Sequence, residues 1–90
     1  MTKMYSLFDR VSKTYCLPMY SPSDEAMIRD FSFALSSFPK DHPILLSPKD
    51  FDLFCLGEFN EYAGYLQPIA LESSPRFVFH VSDFGGISNA

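Results

Sequence analysis

Apolar and polar positions alternate with a period of two over residues 4–11. Tyr5, Leu7 and Val11 take one side, and Met4, Ser6, Phe8 and Arg10 the other, which predicts a strand. Ser12-Lys13-Thr14 is polar and short enough for a hairpin connection to a second strand over residues 15–20. Pro18 lacks a ladder donor, so that strand belongs at a sheet edge. The period then changes. Met27, Phe31, Ala34, Leu35 and Phe38 form a stripe at helical spacing, opposite Arg29, Ser32 and Ser36. Ser21-Pro22-Ser23-Asp24 supplies the start, with either serine able to cap, and Pro39 the stop. One helix is expected over residues 22–38.

Residues 40–48 read as a connection in which Ile44, Leu45 and Leu46 are buried, and Ser47-Pro48-Lys49-Asp50 as a single helical turn. Residues 51–59 form the third predicted strand, apolar on both faces. Phe51, Leu53, Cys55 and Phe59 point one way, and Phe54 and Leu56 the other, between Asp52 and Glu58. A five-residue turn over 60–64 leads to a fourth strand at 65–70, and a loop ending at Pro75 to a fifth at 76–81. The expected fold is α+β: a mainly antiparallel sheet of about five strands with one main helix packed on one face. A single domain should span residues 3–84, followed by a flexible tail over 85–90.

Composition sharpens this picture. Ninety residues with 47% hydrophobic and 17% aromatic content describe a small folded domain. Ten Phe and five Tyr leave apolar area for a partner, so a homodimer is expected. The third strand needs cover on both faces, which makes Phe54 and Leu56 the protein-contact candidates. The net charge of −4 argues against generic nucleic-acid binding. The charge is uneven, however: Lys3, Arg10 and Lys13 meet only Asp9 in the first thirteen residues, whereas no Lys or Arg occurs between Asp50 and Pro75. With Phe8, Tyr15 and Tyr20, those cations compose a candidate surface for single-stranded DNA, rings stacking on bases over neutralised phosphates.

Catalytic material is sparse. His42 and His80 stand apart, and Cys16 and Cys55 have no paired spacing, so two buried, reduced thiols are expected. The pairing of Asp50 and Asp52 reads as a capping residue and a solvated strand position. No metal-ligand spacing and no phosphate-cradling loop is present, so neither metal nor cofactor is expected and the chain reads as a non-enzyme. No apolar run approaches the roughly 18 residues of a membrane span, and a soluble, intracellular protein is expected.

Three segments carry a resemblance. Met4-Tyr5-Ser6-Leu7-Phe8-Asp9, then Ser21-Pro22-Ser23-Asp24-Glu25-Ala26 with Arg29-Asp30-Phe31, and then residues 50–59 closing on Gly64 resemble the small nonstructural protein of microviruses, in particular the gokushovirus branch. The resemblance implies a product made in the cytoplasm of an infected bacterium. It would act between replication of a single-stranded DNA genome and its packaging, with viral replication or procapsid proteins as partners. It implies no catalytic residues. Direct binding of single-stranded DNA is the alternative activity.

Overall fold

The computed structural model describes residues 2–68 and 75–84. Its centre is a long antiparallel pair, β1 (Thr2–Asp9) and β4 (Phe51–Asn60), in contact from Thr2 opposite Phe59 to Asp9 opposite Phe51. Two short strands flank β1 on its free side: β2 (Thr14–Tyr15) at the Asp9 end and β3 (Met19–Ser21) at the Thr2 end. Two more flank β4: β5 (Tyr65–Gln67) at the Asn60 end and β6 (Arg76–His80) at the Phe51 end. The six strands thus form a four-lane antiparallel sheet. The third predicted strand is β4, and the second is split into β2 and β3. The break, at residues 16–18, falls on Pro18, at the sheet edge where proline belongs.

Helix α1 (Asp24–Leu35) covers one face. Ser23, not Ser21, is its cap: Ser23 Oγ accepts the Ala26 N–H at 3.1 Å. At the other end the last turn tightens. Ser36, Ser37 and Phe38 donate backbone N–H groups to the carbonyls three residues back, so the regular helix stops before the predicted Phe38. The buried stripe is Met27, Phe31 and Leu35. It packs with Tyr5 and Leu7 of β1 and with Phe51, Leu53 and Cys55 of β4. Ile44, in the short helix α2 (Pro43–Leu46), and Val81 and Phe84 beyond β6 complete the core. Phe84 reaches both Phe31 and Phe79, with ring centroids 5.3 and 4.5 Å away.

Several sequence expectations are corrected. Val11 is 73% exposed, because β1 ends at Asp9 and residues 10–13 form the turn. Lys13 takes φ 61° there, and the Asp9 carboxylate accepts the Val11 N–H. A left-handed lysine is an uncommon way to close a hairpin, and it shortened the strand. Cys16 is exposed, whereas Cys55 is buried as expected, and both thiols are free. His42 is more than a loop residue: its Nδ1 accepts the Ile44 N–H, and the ring stacks on Phe38. Finally, a bulge at Leu56 shifts the β1–β4 register, with Met4 opposite Gly57 but Tyr5 opposite Cys55. The extra residue inverts the alternation and turns Phe59 away from the core. Residues 69–70 of the predicted fourth strand and the tail over 85–90 lie outside the described residues.

Candidate functional site

Because the helix covers one face of the sheet, the other is left open, and the alternation of four strands decides what it presents. Tyr15 of β2 lies opposite Phe8 of β1, and Phe77 of β6 opposite Phe54 of β4. Phe54 is the hub of these rings. Phe8, Tyr15 and Phe77 surround it at centroid distances of 6.1, 5.8 and 5.9 Å, all near-perpendicular. Edge-to-face contacts of this kind bring positive ring edges to negative ring faces and are favourable beyond simple burial. Phe8 and Tyr15 also touch, at 4.9 Å. Tyr15 and Phe77 remain 43% and 44% exposed, so the cluster is a surface and not a second core.

The floor beside the cluster is polar but satisfied. Asp52, read from the sequence as solvated, is 7% exposed. One carboxylate oxygen pairs with His80 Nδ1 at 2.8 Å, the other with Arg10 Nε at 3.3 Å. Arg10 also donates to the Lys49 carbonyl. The charged groups at this end of the face therefore answer one another. Ser6, fully buried opposite Phe54, donates to the Cys16 carbonyl at 2.8 Å and ties down the edge crossing. Toward the other end, Leu56 lines a shallow groove of about 390 Å³ with Met4, Gly57, Leu66, Gln67 and Pro68. Gly57 is obligatory there, since a Cβ would stand 2.6 Å from the Gln67 carbonyl oxygen.

The two protein-contact candidates, Phe54 and Leu56, thus share the open face. The six DNA-contact candidates divide. Phe8, Tyr15 and Tyr20 lie on that face, Tyr20 opposite Met4 and well exposed. Lys13 stands at the turn next to Tyr15. Arg10 is engaged with Asp52 and Lys49. Lys3, two residues from Tyr5 on β1, falls with it on the helix side of the sheet.

A second polar constellation escaped the sequence reading. At the start of α1, the Tyr5 hydroxyl donates to Asp24 at 2.5 Å, and Arg76 grips both oxygens of the same carboxylate at 2.9 and 3.1 Å. The Arg76 bonds foremost, with the Tyr5 bond, hold the Asp24 carboxyl below the usual range against the opposing effect of burial. Burial and the Asp24 charge push the Tyr5 phenol far up. A phenol so held keeps its proton, which makes it a strut and not a base. Burial raises the Cys55 thiol as well, and partial desolvation with the Asp9 charge raises that of Cys16, although Cys16 lies at the surface. Among the described residues no three His, Cys, Asp or Glu side chains are grouped to hold a metal ion, and no helix is long and apolar enough to cross a membrane.

Comparison with known proteins gives one result. Residues 2–84 match the model of a family described as Phage ORF5 protein. No curated protein and no solved structure matches the chain.

Proposed function

The chain belongs to the Phage ORF5 protein family, and from that membership we propose that this phage protein is a nonstructural accessory of a single-stranded DNA phage. It acts in the host bacterial cytoplasm at the switch between genome replication and packaging, as a non-enzymatic adaptor. Its partners are viral replication or procapsid proteins. The observation that carries the adaptor reading is the open sheet face: apolar at its centre around Phe54, with the Asp52 and Arg10 charges paired and His80 hydrogen-bonded to Asp52. A surface with an apolar aromatic centre and satisfied polar groups suits a protein contact.

A nonsense mutation in this gene tests the role directly. The expected outcome is normal accumulation of the double-stranded replicative form with a deficit of packaged single strands. Normal yields of filled particles would overturn the proposal.

Direct binding of single-stranded DNA is the rival reading, favoured by Phe8, Tyr15 and Tyr20 on one face near Lys13. It has less electrostatic support, because Arg10 is occupied and Lys3 lies on the other side of the sheet. Titration with an oligonucleotide at two salt concentrations separates the two. A steep salt dependence, abolished when Lys3, Arg10 and Lys13 are neutralised together, would establish the rival.

A further inference from the structure

We propose that a second copy of this chain covers the open sheet face, the two sheets packing face to face about a twofold axis that crosses the strands in the plane of the interface. This pairing is a property of the purified chain and stands independently of the packaging role.

Charge is the first argument. A copy approaching the face meets rings and the groove around Leu56, and its own Asp52 brings no unpaired negative charge, because Arg10 and His80 answer it within each subunit. An acidic chain can therefore meet itself here without repulsion at the centre. The ends of the face then select an orientation. In the turn over residues 10–13 the Arg10 charge is taken up by Asp52, so Lys13 is the cation that the turn presents, and the turn carries no acid. Nearby Asp9 is engaged with the Val11 N–H. The turn over residues 60–64, at the far end of the β1–β4 pair, carries Glu61 and no cation. In an isologous contact, an axis across the strands brings each cationic turn to the same end of the interface as the partner's acidic one, whereas an axis along the strands would bring like to like.

Size is the second argument. Strand β4 has ten residues, and at about 3.3 Å per residue it is roughly 30 Å long; four lanes about 4.8 Å apart give the face a footprint of about 500 Å². Two copies then bury about 1,000 Å², the lower limit for a specific contact. The dimer is therefore reversible, and its face can be released to another protein.

Sedimentation equilibrium tests the proposal, with circular dichroism melts to verify that each variant is folded. Wild-type protein should dimerise, and Phe54→Asp should weaken the association by at least about tenfold. Lys13→Glu and Glu61→Lys should each weaken it by a factor of about five, because each sets like charges together at both ends. An equimolar mixture of those two variants should recover wild-type affinity, since the mixed pair opposes unlike charges at both ends. Neither substitution lies in the core, and loss of folding cannot produce that recovery. A wild-type monomer at high concentration would overturn the proposal. A mixture that associates no better than its components would overturn it too, as would end-charge variants that leave the affinity unchanged.

Discussion

The phenol of Tyr5 donates to the Asp24 carboxylate across 2.5 Å and so joins the first strand to the first residue of the helix. Arg76, from the opposite margin of the sheet, closes on the same carboxylate. Three segments distant in sequence are fastened at one point.

That point predicts an acid-sensitive contribution to stability. The folded-state pKa of Asp24 is lowered, so its contribution is fully present above the unfolded value of about 3.9 and is lost as pH falls through the folded value. Asp24→Asn should cost about 2 kcal/mol at neutral pH, the scale of a hydrogen-bonded charge. The difference from wild type should shrink as the solution is acidified below about pH 4. Urea unfolding at several pH values measures it, and a difference that does not vary with pH would refute the assignment.

The two serines that compete for the cap in the sequence should part in experiment. Ser23→Ala removes the acceptor for the Ala26 N–H and should cost about 1 kcal/mol. In a domain of this size that lowers the melting temperature by roughly 4–8 °C. Ser21 Oγ is buried and has no partner among the described residues, so Ser21→Ala should be neutral or mildly stabilising. Thermal scans of both variants decide it, and equal losses would contradict the cap.

Gly57→Ala should destabilise by about 1–3 kcal/mol, because the new methyl meets the backbone carbonyl of Gln67 and not a side chain that can swing away. Denaturant unfolding should show a lower midpoint with an unchanged slope. Retained stability would mean that β5 moves aside freely.

Leu53 and Phe54 are adjacent on β4 but serve different faces. Leu53→Ala, fully buried beneath the helix, should cost about 2–5 kcal/mol. Phe54→Ala, which unmakes three ring contacts on an open face, should cost about 1–2 kcal/mol in dilute solution. Paired unfolding curves below the dimerisation range compare them. A larger loss at Phe54 would assign the two faces wrongly.

Much of this architecture follows from local pattern. The helical stripe from Met27 to Leu35 has a single amphipathic solution, and the alternations around Tyr5 and Leu53 define the strands that bury them. What local pattern cannot carry is the break in an alternation. Lys13 closes its turn at positive φ without the glycine that would announce it, which is why the alternation runs on past Asp9 and sets Val11 on the side of Tyr5 and Leu7. The bulge at Leu56 leaves no mark in the sequence except Gly57, whose necessity comes from Gln67 on another strand. The aromatic cluster is half legible: the sequence marks Phe8, Tyr15 and Phe54, but as parts of two different surfaces. Only the registers of β1 against β2 and of β4 against β1 and β6 unite them and add Phe77. The grip of Arg76 on Asp24 depends on the whole fold and had no local signal at all.

The crossing at residues 16–18 divides one margin of the sheet into strands of two and three residues. A strand arriving from another molecule finds no continuous row of free amide and carbonyl groups along that margin, and Pro18 withholds a donor in its middle. Growth by adding sheets side by side, the route to fibrils, is therefore blocked on that side. A chain so rich in phenylalanine can therefore keep an apolar face exposed without recruiting further copies along that margin.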